Sequence, residues 1–212
     1  MSLSVIIKTT QKNRKDNQME TEKTVKKPLK QEKTMISKAR FCSICAMCTA
    51  LYAVCSWISI PVTPPFTLQT FAIFTVTGLF GIPVALTAFA VYLFIGIIGL
   101  PVFAGFKQGL TVITGPTGGY LIGFAVSILL MGLIIKLFGR KTVSLFVSFA
   151  AGLLVVYIFG SVFYSVVWLG GLNPESFTAA LTTCVVPFVL VDILKMCLAV
   201  FVTKSLEGKI RI

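Results

Sequence analysis

From Phe41 onward the chain consists of long apolar runs separated by short punctuation of proline, glycine and charge. A bilayer core of about 30 Å takes roughly 20 apolar residues per helix, and on that ruler six spans are predicted. The first runs from Phe41 to about Ile60 and stops at Pro61, after which Pro64 and Pro65 make a rigid, extended turn. The second, Phe66–Phe80, is short. It ends at Gly81-Ile82-Pro83, where glycine suits a C-cap and Pro83 suits the first turn of the third span, Pro83–Ile98. A long Gly-rich connection follows. The fourth span, about Gly119–Phe138, closes on Lys136, Arg140 and Lys141, and the fifth covers about Val143–Leu169. Asn173-Pro174-Glu175 then supplies an N-cap, a proline at the first helical position and an acid beside the positive helix end. The sixth span therefore begins there and continues through Phe177–Leu206, with a kink expected at Pro187. The expected fold is an all-α integral membrane protein, a six-transmembrane-helix bundle with a structured Gly-rich loop between helices 3 and 4.

Composition agrees with the pattern. The 212 residues are 56% hydrophobic and only 12% charged, about half the charge of a soluble domain, so a water-soluble globular fold is excluded. Residues 1–40 are different: they show no apolar period and carry 11 of the 19 cations and 4 of the 7 acids. They are expected to form a disordered, basic, cytosolic tail ahead of a membrane domain at 41–212. The tail lacks the apolar core of a signal peptide. Six spans put both termini on one side, and placing that side in the cytoplasm puts 17 of the 19 cations inside. Lys107 alone falls outside, and Lys195 lies within a span. The net charge of +12 is thereby explained by topology, with no nucleic acid as partner. The chain has no histidine, which removes His-dependent nucleophile arrangements and HExxH zinc sites.

Chemistry concentrates in a few places. Asp192 and Lys195 are ionisable groups at membrane depth, three residues apart on one helix face. Either they neutralise each other to hold a packed helix, or they form a polar ligand pocket for a small solute that carries N–H donors and an oxygen acceptor. The segment from Gly99 to Tyr120 is too irregular for a span and too apolar for a solvated loop, so it reads as a folded lid over that pocket on the outer face. Its glycines permit close backbone approach to a ligand. Phe103, Gly115, Thr117 and Tyr120 are its candidate contributions, with a plain structural crossover as the alternative. Gln69, at the outer start of the second span, either reads a polar ligand head or bonds the prolyl turn. In the first span Ala46, Ala50 and Ala53 line a small-residue stripe, and Gly119/Gly123 form a second small pair. Cys42, Cys45 and Cys48 have the spacing C-x2-C-x2-C, but with Tyr at position 52, no Cys-Pro following, no histidine and no nearby acid they read as buried small apolar residues, with neither metal nor disulfide.

These residues resemble a known family. Ile60-Pro61-Val62, Pro65-Phe66-Thr67-Leu68-Gln69-Thr70, Gly99-Leu100-Pro101-Val102-Phe103, the run from Gly115 to Phe124 (GPTGGYLIGF) and Pro187-Phe188 followed by Asp192-x-x-Lys195 are similar to the BioY family. Its members are the biotin-specific, substrate-capturing (S) components of energy-coupling factor (ECF) transporters. The resemblance covers about residues 41–206. It implies a six-helix, multi-pass protein of the cytoplasmic membrane that binds biotin and uses no cofactor. The lid lies between the third and fourth helices, and the Asp-x-x-Lys pair supports binding. Asp192 would accept a ureido N–H or orient Lys195, and Lys195 would serve an anionic or carbonyl oxygen. The resemblance also implies that Ala46-x-x-x-Ala50 packs on a transmembrane coupling protein, which works with two ATPase subunits. The chain has no ATPase motif and is not expected to be an enzyme. It works with that module or alone as a slow facilitator, and another vitamin or small carboxylate is the nearest rival ligand. Two features depart from the family pattern: the basic extension, and Phe106-Lys107-Gln108 in the lid, where smaller or less charged residues are expected.

Overall fold

In the computed structural model, residues 38–62, 64–171 and 173–207 are described. The predicted tail at 1–40 therefore falls outside them except for its end, where helix α1 (Lys38–Trp57) already begins. The chain divides between Ser43 and Ile44. The described part of the first unit is the opening of α1, where Ser43 Oγ donates to the Ala39 carbonyl oxygen at 3.0 Å.

The second unit, from Ile44 on, is almost entirely helical. After α1 come two short strands, β1 (Ser59–Ile60) and β2 (Phe66–Thr67), then α2 (Gln69–Ile98), a 3-10 turn (Ala104–Phe106), α3 (Leu110–Thr114), α4 (Gly118–Phe138), α5 (Thr142–Val167), α6 (Pro174–Cys184) and α7 (Val189–Leu206). Among the described residues four helices, α1, α2, α4 and α5, are each long and apolar enough to cross a membrane, and the α6–α7 pair makes a fifth if it counts as one bent span. The protein is a multi-pass membrane protein.

Three boundaries differ from the sequence expectation. The first helix stops at Trp57 rather than Ile60, because Ser59–Ile60 pairs antiparallel with Phe66–Thr67, in register Ser59 with Thr67 and Ile60 with Phe66. The prolines between them, which lack a donor and hold φ near −65°, favour this extended loop over another helical turn. The second and third predicted spans are one helical element, α2, but Gly81 interrupts it at φ 76°, ψ −174°. That conformation is open to glycine and costly for other residues, and Pro83 follows in the next turn. The sixth predicted span is two helices bent by 54°, broken between Cys184 and Val189, where Pro187 cannot donate to the ladder. Asn173 takes an extended conformation before Pro174, as expected of an N-cap, but makes no side-chain capping bond.

Packing explains the glycines of the second small pair. A Cβ on Gly119 would overlap the Phe159 carbonyl and Phe163, and one on Gly123 would lie 3.1 Å from Val156 Cα. On the facing helix Gly152 leaves room for Met131, and Gly160 for the Tyr120 ring. The α4–α5 seam is thus a close, small-residue contact of the kind that lets helices approach in lipid. In the first span the stripe divides, with Ala46 and Ala50 exposed and Ala53 buried. The core is aromatic. Tyr52, Phe89, Tyr92 and Phe103 meet edge-on or stacked, and Phe74 stacks on Phe149 at 5.1 Å. Of the three cysteines expected to be buried, Cys45 and Cys48 are, whereas Cys42 is exposed.

Candidate ligand-binding site

The segment from Gly99 to Thr117 is held down at both ends. Gly99 caps α2 in the left-handed region at φ 114°, and the Gly109 N–H donates back to the Gly96 carbonyl at 2.8 Å. Trp57 Nε1 donates to the Pro101 carbonyl at 2.8 Å, and the Trp57 ring stacks on Phe106 at 5.2 Å. Phe103 is fully buried. Its ring lies over Gly96, where any Cβ would overlap it. Thr117 Oγ1 closes the last turn by donating to the Val112 carbonyl at 2.9 Å. The close approaches of Gly118 are to protein: a Cβ there would overlap the Ile113 carbonyl.

Beneath this segment lies a cavity with an empty volume of about 790 Å³, its mouth included. Six of the seven candidate ligand residues line it: Gln69, Phe103, Thr117, Tyr120, Asp192 and Lys195. Gly115 does not. It lines a separate, more open hollow beside the cavity, because α3 ends there and its backbone closes on Thr111.

The charged pair is real and buried. Lys195 Nζ lies 2.9 Å from Asp192 Oδ1, with 4% of Asp192 and 3% of Lys195 exposed. The ammonium also donates to the Thr67 carbonyl at 2.6 Å and sits 3.5 Å above the centre of the Phe66 ring. Phe66 in turn stacks on Phe188 at 4.9 Å. Burial of two charges is sustained only when their remaining hydrogen-bonding capacity is met, and here a third residue helps: Tyr157 Oη donates to Asp192 Oδ2 at 2.6 Å. The pair thus joins α5, α7 and β2. Sequence reasoning missed Tyr157, whose only signal was a phenol in the middle of an apolar span. It also passed over Tyr92, Phe66 and Phe188 as wall residues.

Gln69 lines the cavity. The residue is 4% exposed at the cavity wall; its Nε2 makes no full hydrogen bond, and its side chain interacts only weakly with the Tyr92 hydroxyl. The bond to the prolyl turn is made instead by its backbone N–H, which donates to Thr67 Oγ1 at 3.3 Å. A buried amide nitrogen without an acceptor costs free energy, and an acceptor in the cavity would relieve it. The site therefore offers an unspent donor at Gln69 and spare acceptor capacity on Asp192, since a carboxylate has about four lone-pair positions and two are used. Aromatic and aliphatic walls surround them.

Comparison with known proteins identifies the family. The sequence model of the BioY family matches residues 25–211. The chain is 35% identical over 172 residues to a Pyrococcus horikoshii protein named "Probable biotin transporter BioY", covering 81% of this chain and 98% of that protein. It is 37% identical over 161 residues to "Biotin transporter BioY" of Thermotoga maritima, covering 75% and 90%. A solved structure described as the S-component for biotin from an ECF-type ABC transporter has the same fold, with a TM-score of 0.70 at 24% identity over 81% of this chain and 92% of that one. The chain belongs to the BioY family.

Proposed function

We propose that the chain is the substrate-specific subunit of an ECF transporter, binding biotin and serving its uptake across the cytoplasmic membrane. It is a transport subunit and not an enzyme. The observation that carries the reading is that the buried Asp192–Lys195 pair and the buried Gln69 amide line one largely apolar cavity. Biotin's ureido ring has two N–H donors and one carbonyl acceptor, which complement Asp192 and Gln69, while its thioether ring and alkyl chain suit Phe103, Tyr120 and the other apolar walls. Thr117 holds the covering segment in place, and Gly115 belongs to that segment rather than to the ligand. The Gly-rich segment is then the lid.

Six crossings are supported by the interruption at Gly81. Gln69 and Tyr92 line one cavity, yet in a straight helix 23 residues would separate them by about 35 Å. The element α2 therefore doubles back as two crossings, and the bent α6–α7 pair makes the sixth. With both termini cytoplasmic, the basic residues Lys136, Arg140, Lys141 and Lys204 gather at the inner face. There Lys204 Nζ donates to the Arg140 carbonyl at 3.1 Å. The membrane domain follows a basic cytosolic tail. Ala46 and Ala50, exposed on α1, are the contact for the coupling protein that joins the two ATPase subunits.

Uptake of labelled biotin tests this reading in cells that lack their own biotin transporter and supply the coupling protein and ATPases. Saturable accumulation that thiamine and riboflavin do not compete supports it, and accumulation no higher than in empty cells contradicts it. The lid makes a further prediction. Gly96→Ala pushes the Phe103 ring toward the cavity, and overpacking of this kind costs about 1–3 kcal/mol. Biotin affinity is expected to fall at least tenfold by calorimetry, with only a modest drop in melting temperature.

A further inference from the structure

Biotin ends in a carboxylate, and the cavity has to place that charge. Two cations line it among the described residues, Lys195 and Lys107. Lys195 is committed: its ammonium already serves Asp192, the Thr67 carbonyl and the Phe66 ring. A carboxylate brought against it would also lie beside Asp192, and two like charges in a buried site repel. Lys107 has no such conflict. It takes no part in either ion pair of the described residues, it is exposed, and it lines both the cavity and the adjoining open hollow. It therefore stands where the enclosed space meets the outside. Its backbone is fixed there, since the Lys107 carbonyl accepts from the Phe103 N–H at 3.1 Å, so its position follows the buried lid anchor.

The opposite end of the cavity is defined by burial. Gln69, Asp192 and Lys195 are each at least 95% buried, and their donor and acceptor atoms match a ureido ring rather than a carboxylate. Resting on the biotin reading above, we propose that Lys107 receives the ligand's carboxylate at the mouth of the cavity, so that biotin is held ring inward and acid outward. The exposed lid cation is thus a specificity element for an anionic tail.

The test is calorimetry on the purified full-length chain, with biotin and biotin methyl ester as probes against wild type and Lys107→Gln. For wild type the ester is expected to bind about tenfold more weakly than biotin, and added salt is expected to narrow that gap as it screens an exposed pair. In Lys107→Gln biotin falls to the level of the ester, and the ester itself is unchanged. A variant that keeps the wild-type preference for biotin over its ester overturns the assignment and returns the carboxylate to Lys195. A folded wild type that binds neither probe overturns the biotin reading, and the orientation falls with it. A wild type that binds both equally overturns the orientation alone.

Discussion

Lys195→Met is expected to abolish measurable biotin binding and to destabilise the protein strongly, because it strands Asp192 as an unpaired carboxylate that is only 4% exposed. Breaking one side of a buried ion pair costs about 3–5 kcal/mol. Asp192→Asn strands the ammonium in the same way, although Thr67 and Phe66 still support it, so its stability loss is expected to be smaller. The informative variant is the double one. Asp192→Asn with Lys195→Met removes both charges and keeps the volumes, and a buried pair replaced by neutral groups is often near neutral in stability. It is expected to regain much of the lost stability in a thermal melt while binding stays at least 100-fold weaker than wild type. If binding returned along with stability, the pair would be a device of helix packing only, and the ligand would be recognised elsewhere.

Ala50→Trp is expected to separate binding from transport. Ala50 is exposed on α1, four residues from the equally exposed Ala46, and both lie on a face that turns away from buried Tyr52. A small stripe of this kind allows a partner helix to approach closely in lipid, and an indole there holds it off. Calorimetry is expected to show unchanged biotin affinity, while uptake in cells with the full set of ATPase and coupling subunits drops to background. Wild-type uptake by Ala50→Trp would place the coupling contact on another surface.

Much of this architecture was legible because membrane physics leaves few choices. Long apolar runs must be helices, since lipid satisfies no backbone polar group, and Gly81-Ile82-Pro83 marked the break that the structure places at Gly81. The Asp192-x-x-Lys195 spacing put two charges on one face, and the structure joins them at 2.9 Å. What escaped depended on contacts between elements distant in sequence. Tyr157 reaches Asp192 across 35 positions, and Lys195 reaches Thr67 across 128. No local pattern announces either. The short β1–β2 pair was hidden because Ser59–Ile60 continues an apolar run, and only the prolines that follow decide against helix. Gly115 was grouped with the ligand because it opens a dense motif. In the fold that motif divides, with Thr117 and Tyr120 at the cavity and Gly118 and Gly119 spent on close contacts with their own neighbours.

On the proposed function, the cavity lined by Gln69, Phe103, Tyr120 and the Asp192–Lys195 pair holds biotin. Isothermal titration of biotin into the detergent-purified chain, with thiamine and riboflavin as controls, tests it most directly. Saturable one-site binding of biotin is expected, with no heat from either control and loss of the signal in Asp192→Asn protein that still melts cooperatively. Absence of biotin binding by folded wild-type protein, or full binding by Asp192→Asn, would contradict it.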